Sequence, residues 1–236
     1  MTICVIPARG GSKRIPRKNI KSFCGKPMIQ WSIEAAQKSG IFDEIIVSTD
    51  DDEIKYISEK LGAYVPFIRP SSLSDDYTTS VDVVAHATNW ALDNNLEAEI
   101  VCCIYATAPF VRQSDLINAF KIINSENWSY VLSVGEYSSP ILRSFKQGLT
   151  GGLEMYFPEN FEKRSQDLEP ALFDAGMFYM GTSEAWIQKL KIFGNHSYPY
   201  KIPHWRIQDI DTSDDWIRAE ILAQNLETMN IKNYQL

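Results

Sequence analysis

No apolar stretch in this 236-residue chain approaches the roughly 20 residues that a membrane-spanning helix needs, so no membrane partner is expected. Cysteine is sparse. Cys4, Cys24, Cys102 and Cys103 show no C-x-x-C spacing and read as reduced, mostly buried thiols. The chain opens directly into a strand-like Thr2–Ile6 with no basic leader or cleavage site, and a cytoplasmic enzyme is expected. Histidine is scarce too: His86, His196 and His204 lie far apart without metal-ligand spacing. No G-x-S-x-G elbow and no Ser-His-Asp arrangement occurs, which disfavours a covalent hydrolase. Basic charge is in deficit overall. A net charge of -7 argues against a general nucleic-acid binder, which carries a basic face.

The basic residues that are present crowd into one place. Arg9, Lys13, Arg14, Arg17, Lys18, Lys21 and Lys26 precede the first acid, Glu34. An acidic chain with one compact basic segment has either a local anion site or a solvated basic loop.

Short runs rich in Val and Ile alternate with amphipathic stretches. Strands are expected at Ile3–Pro7, Glu44–Ser48, Glu99–Tyr105, Tyr130–Val134, Met177–Met180 and Tyr198–Ile202. Helices are expected at Met28–Lys38, Asp52–Leu61, Ser80–Asp93, Ser114–Asn124 and Asp214–Leu226, with Ser114 and Ser213 as N-terminal caps. This alternation predicts a three-layer αβα sandwich on a mainly parallel sheet, spanning residues 1–236 as a single domain. Residues 136–173 break the rhythm with Gly148, Gly151, Gly152, Pro158 and Pro170. They read as a hairpin-like insertion, and a dimerisation arm, a cover for the site and a plain surface elaboration all remain open.

Pro7-Ala-Arg-Gly-Gly-Ser-Lys-Arg-Ile-Pro-Arg-Lys-Asn-Ile20 follows the first strand, at the sheet end where open α/β folds bind ligands. Gly10 and Gly11 allow close backbone approach to phosphate, Arg9, Lys13 and Lys18 bring charge, and Ser12 brings a hydroxyl. The spacing is neither a Walker A loop nor a dinucleotide fingerprint. In Asp209-Ile-Asp211 an extended backbone turns both carboxylates to one face and the isoleucine to the core. A hard-cation site and simple capping of the next helix by Asp211 or Ser213 both fit that pattern. Thr49-Asp-Asp-Asp52 reads as an acidic helix start.

Together these segments resemble the CMP-sugar synthetases. The resemblance rests on Ile6-Pro-Ala-Arg-Gly-Gly-Ser-Lys13, Arg17-Lys-Asn-Ile20, Gly25-Lys-Pro-Met-Ile29, Ile46-Val-Ser-Thr-Asp50, Arg69-Pro70, Thr79-Ser80 and Asp209-Ile-Asp-Thr212, in order along nearly the whole chain. It implies that Arg9, Ser12 and Lys18 hold the phosphates of CTP and that Asn19 meets the nucleotide. Arg69 and Ser80, with Thr79 alongside, would then contact cytosine, and Asp209 and Asp211 would bind Mg2+. The implied reaction joins CMP to an acidic nine-carbon sugar, with Arg9 and Lys18 as catalytic residues on the leaving pyrophosphate. A homodimer is expected as well. A nucleotide-binding module without turnover is the alternative of another class.

Pro16-Arg-Lys-Asn-Ile20 resembles the sialic-acid-like branch more than the branch acting on the eight-carbon sugar Kdo. Yet Tyr105-Ala-Thr-Ala-Pro109 stands where neuraminate enzymes carry Gln-Pro-Thr-Ser-Pro, and Phe173-Asp-Ala-Gly176 where they carry Arg-Pro-Asn-Gly. Arg164-Ser-Gln-Asp-Leu-Glu-Pro170 and Asp174-Ala-Gly-Met-Phe-Tyr179 instead resemble the branch that uses pseudaminic acid. That implies Tyr105, Thr107, Arg164, Gln166 and Tyr179 at the sugar, with N-acetylneuraminate and legionaminate as alternative substrates.

Overall fold

Alternation within the first strand sets the architecture. In β1 (Thr2–Pro7), Cys4 and Ile6 enter one apolar core while Ile3 and Val5 enter another. Successive strand side chains face opposite ways, so a strand that is apolar on both faces needs a helical layer on each. The computed structural model, which describes residues 1–228, has both layers.

In chain order the elements after β1 are a small hairpin, β2 (Ser22–Phe23) and β3 (Lys26–Pro27), then α1 (Met28–Ser39), β4 (Glu44–Ser48) and α2 (Asp52–Lys60). Next come α3 (Ser80–Asp93), β5 (Ile100–Ile104), α4 (Gln113–Ser125) and β6 (Tyr130–Glu136). A second hairpin, β7 (Phe145–Gln147) and β8 (Leu153–Met155), is followed by β9 (Leu172–Thr182), α5 (Ser183–Ile187), β10 (Ser197–Lys201) and α6 (Ser213–Thr228). Ile33 of α1, Ile54 of α2, Leu116 of α4 and Trp216 of α6 fill one core; Val84 of α3 and Trp186 of α5 fill the other.

Among the described residues the central sheet has six strands in the order β10-β6-β9-β5-β1-β4. β1 runs parallel to β4 and β5, and β10 parallel to β6. The sheet is mainly parallel as expected, but β9 lies in its middle antiparallel to both β5 and β6. β9 is also longer than the expected Met177–Met180. Its first residues pair with Val134–Glu136 beyond a register shift, and Asp174 and Gly176 interrupt the apolar pattern there.

Two helix starts differ from expectation. α4 begins at Gln113, so Ser114 lies inside the first turn, and the Arg112 N–H donates to the Asp115 carboxylate at 3.0 Å. At α6 the Thr212 hydroxyl accepts from the Asp215 N–H at 3.2 Å, while Asp215 accepts from the Thr212 N–H at 2.8 Å. This reciprocal box caps the helix without Ser213 or Asp211.

The chain leaves the sheet over residues 137–171, between β6 and β9. This is narrower than the expected 136–173, because Glu136 pairs with Leu172 and Gly135 with Phe173 in the sheet. The hairpin of this arm pairs only with itself. Phe145, Leu149, Leu153, Tyr156 and Phe161 of this arm are exposed. Among the described residues no helix is long and apolar enough to cross a membrane.

Candidate active site

A cleft of about 240 Å³ opens at the carboxyl ends of β1 and β5, bounded by Pro7, Tyr105 and Ala106. The basic loop forms its near wall and is braced from below. The Ala8 N–H donates to the Ser48 carbonyl at 2.9 Å, the Asn19 amide donates to the Arg9 carbonyl at 2.9 Å, and Ile15 is buried. Arg17 turns away from the cleft and pairs with Asp51 and Glu53. Its hydrogen bond to Asp51 pushes the guanidinium above its ordinary range and lowers the Asp51 carboxyl. Asp51 also caps α2, accepting from the N–H groups of Glu53 and Ile54 at 3.0 and 2.9 Å. The acidic Asp50–Asp52 turn is thus a helix start, as expected, and also the brace of the basic loop.

The two glycines sit differently from the sequence expectation. The Gly10 N–H donates to Asp50 at 2.9 Å, and a Cβ at Gly10 would stand 2.6 Å from an Asp51 oxygen. Its lack of a side chain serves close packing against the Asp51 cap. Gly11 has open space around it, and neither glycine lines the cleft.

Arg9, Ser12, Lys13, Arg14, Lys18 and Asn19 do line it. Arg9 pairs with Asp76 at 2.8 Å and donates to the Asp75 carbonyl at 2.6 Å; Lys13 also pairs with Asp76. Lys18, only 19% exposed, donates to the Ile210 carbonyl at 2.8 Å and lies 3.3 Å from Asp211. Arg14 reaches the other oxygen of Asp211 at 2.8 Å. The loop after β1 and the segment before α6 therefore meet across the cleft. Ile210 is fully buried, so Asp209 and Asp211 stand on the outer side of an extended segment, as their spacing predicts. Asp209 reaches the surface, yet packing against the protein raises its carboxyl pKa, and the Asp211 charge raises it further. Two repelling carboxylates suit a hard cation. Among the described residues no group of three or more His, Cys, Asp or Glu could hold a metal, so phosphate or water would complete its shell.

Arg69 is buried at the far end. Its Nε donates to Ser48 Oγ at 3.1 Å and its Nη2 to the Ser48 carbonyl. Desolvation lowers its pKa to about 10, with Asp50 opposing and Arg9 adding to the fall. Ser80 lines the cleft, but Thr79 does not: its hydroxyl accepts from the Asp82 N–H at 3.2 Å as the cap of α3. Thr78 lines the cleft in its place.

Of the five residues assigned to the sugar, Tyr105 and Thr107 line the cleft, and buried Tyr179 packs edge-on behind Tyr105. Arg164 and Gln166 are not brought there. Arg164 precedes and Gln166 lies within a short turn of the arm, Ser165–Asp167, where Arg164 is 72% exposed and pairs with Asp167 at 2.7 Å. Gln166 lines a separate pocket of about 420 Å³ with Glu136, Tyr137 and Pro170. Sequence reading also passed over Arg14 as a ligand-facing cation, Asp76 as the partner of Arg9, and Thr78. Arg14 was recoverable from its place in the basic cluster; Asp76 carried no signal beyond the acidity of its loop.

Asp211 lines the cleft and Asp209 does not. A cationic cleft at the carboxyl end of a three-layer α/β sheet, with a carboxylate across from it, is a nucleotidyltransferase arrangement. A solved CMP:2-keto-3-deoxy-manno-octonic acid synthetase complexed with CTP has the same fold, with a TM-score of 0.70 at 16% identity, covering 95% of this chain and 98% of that one. The cytidylyltransferase family matches residues 3–141, and the chain belongs to that family. A pseudaminic acid cytidylyltransferase from Campylobacter jejuni is 44% identical over 220 residues, 93% of this chain and 95% of that protein. N-acylneuraminate cytidylyltransferase B from Danio rerio is 33% identical over 92% of this chain, but over 50% of its own length.

Proposed function

We propose that this cytidylyltransferase transfers CMP from CTP to the anomeric hydroxyl of pseudaminic acid. One observation carries the choice of sugar: 44% identity to the Campylobacter jejuni enzyme along almost the full length of both chains. The acceptor oxygen attacks the α-phosphorus, its bond to phosphorus forms as the bond to pyrophosphate breaks, and the hydroxyl proton passes to solvent. Phosphoryl chemistry of this kind needs position and charge compensation more than covalent help. Arg9 and Lys18 hold and stabilise the pyrophosphate, with Ser12, Lys13 and Arg14 on the remaining phosphate oxygens. Asn19, Arg69 and Ser80 border the nucleoside, and Tyr105 and Thr107 border the sugar. Magnesium bound by Asp209 and Asp211 would neutralise phosphate charge. Holding the ion would take Asp211 out of its pairing with Arg14 and Lys18 and would leave both cations for phosphate.

The exposed apolar side chains of the arm support a homodimer joined through residues 136–173, in which Arg164 and Gln166 reach a sugar site only if the arm crosses to a partner. A monomeric mass in solution would remove that part of the reading. In this proposal the reaction takes place in the cytoplasm.

Competition between sugars tests the substrate. Pseudaminic acid carries two acyl-amino groups and a terminal methyl, whereas N-acetylneuraminate carries one acetamido group and a hydroxylated tail. Each polar group left unmatched on burial costs about 1–3 kcal/mol. With both sugars and limiting enzyme, kcat/KM for pseudaminic acid is expected to exceed that for N-acetylneuraminate by about 10²-fold. Equal use overturns the substrate. Absence of pyrophosphate release with CTP, magnesium and either sugar overturns the reaction.

A further inference from the structure

Behind the cleft, four side chains from three separate segments form one hydrogen-bonded file. Tyr179 on β9 donates its hydroxyl proton to Asp174 Oδ2 on the same strand. The Tyr105 hydroxyl lies 3.4 Å from that of Tyr179, and Ser80 Oγ lies 3.2 Å from that of Tyr105. The antiparallel pairing of β5 with β9 sets Cys103 opposite Tyr179 and brings the Tyr105 N–H to the Met177 carbonyl at 3.0 Å, so the two rings meet edge-on. Asp174 is itself fixed. Its Oδ1 accepts the Gly176 N–H at 2.9 Å, in a turn where Gly176 has φ of +61°, a conformation that side-chain-bearing residues rarely adopt.

A carboxylate only accepts hydrogen bonds, whereas a hydroxyl has a single proton to donate. With Tyr179's proton on Asp174, Tyr179 can only accept from Tyr105. Tyr105 has then spent its proton and can only accept from Ser80. Both tyrosines keep those protons: burial is the first cause that raises each, Tyr105 to about 12 and Tyr179 further. The polarity runs one way along the file, and Ser80, at the cleft, faces a ligand with lone pairs alone.

We infer that Asp174, acting through Tyr179 and Tyr105, is a positioning residue that makes Ser80 an obligate acceptor and so selects a pyrimidine bearing an exocyclic amine over one bearing a carbonyl at the same position. The inference rests on the proposed function, in which Ser80 borders the base.

Asp174→Asn tests it with little change of shape. The Gly176 N–H still requires an acceptor, so the amide oxygen takes that side and the NH₂ turns to Tyr179. The file then reverses: Tyr179 donates to Tyr105, Tyr105 to Ser80, and the Ser80 proton is free for the ligand. Binding of CTP and of UTP is measured separately by calorimetry on the full chain. The wild type is expected to prefer CTP, and Asp174→Asn to lower the CTP-to-UTP affinity ratio by about tenfold or more, through loss for CTP together with gain for UTP. Tyr179→Phe, which cuts the file without reversing it, is expected to lower the ratio through loss for CTP alone. It decides the matter if Asp174→Asn does not fold. An unchanged ratio in a folded variant overturns the inference, as does a proportionate loss of both nucleotides, the mark of a merely structural role. A wild type that binds no CTP overturns the functional reading itself, before any variant is compared.

Discussion

Arg206 and Asp115 form a bidentate ion pair, with two hydrogen bonds of 2.9 Å, in which each side chain is only 5% exposed. Asp115 belongs to the first turn of α4, while Arg206 opens the segment that leads to Asp209 and Asp211. The pair thereby ties the acidic rim of the cleft to the helical layer. Removing one partner leaves a buried charge without compensation, which costs about 3–5 kcal/mol. Arg206→Met is expected to lose that much in denaturant unfolding, and Arg206→Met with Asp115→Leu to lose less. Equal losses in the two proteins would show that the pair does not act as a unit.

Arg9→Ala and Lys18→Ala are each expected to lower turnover by about 10²–10³, the usual cost of one preorganised electrostatic donor. Arg17→Ala is the internal comparison. Its guanidinium faces Asp51 and Glu53 and braces the loop from outside the cleft, so turnover should fall far less than in Arg9→Ala or Lys18→Ala, while stability falls by about 1 kcal/mol. Steady-state kinetics alongside thermal unfolding separates the two outcomes. Wild-type turnover in folded Arg9→Ala or Lys18→Ala removes that residue from the phosphate site.

Asp209→Asn and Asp211→Asn keep shape but weaken a cation site. Thr212 and Asp215 cap α6, so neither substitution touches the cap, and unfolding midpoints should stay near wild type. Activity in magnesium is expected to collapse in both, and EDTA to abolish it in the wild type. Full turnover in metal-free buffer would exclude the metal role.

Glu34 gives a pH signature far from the cleft. Hydrogen bonds from Lys38 first, then Lys26 and Gln30, lower its pKa from 4.5 to about 2 against the opposing effect of burial. Its folded-state pKa lies below the unfolded value, so its contribution is complete above about pH 4.5 and is lost as pH falls toward about 2. Thermal midpoints of the wild type and Glu34→Gln should differ at pH 6, and the gap should narrow progressively below about pH 4.5 toward about pH 2. A gap that does not change with pH would rule out an ionic origin.

Much of this protein can be read from local pattern. The opposed faces of Ile3 and Val5 against Cys4 and Ile6 encode a sheet covered on both sides, because strand alternation depends on neighbours alone. The basic loop after β1 and the burial of Ile210 between two aspartates follow from the same local rules. Tertiary structure decided what those residues meet. Asp211 faces Lys18 across 193 positions of sequence, and Thr212, paired reciprocally with Asp215, takes the cap expected of Ser213. The antiparallel entry of β9 between β5 and β6 brought Tyr179 to Tyr105, and no periodicity in either strand specifies that neighbour. Arg164 and Gln166 lie on an arm outside the cleft, where Arg164 pairs locally with Asp167 and Gln166 lines a separate pocket, and no local pattern in their segment specifies that placement. Period and turn chemistry are properties of adjacent residues. Register between distant strands, and the pairing of charges across a cleft, is settled only when the whole chain is packed.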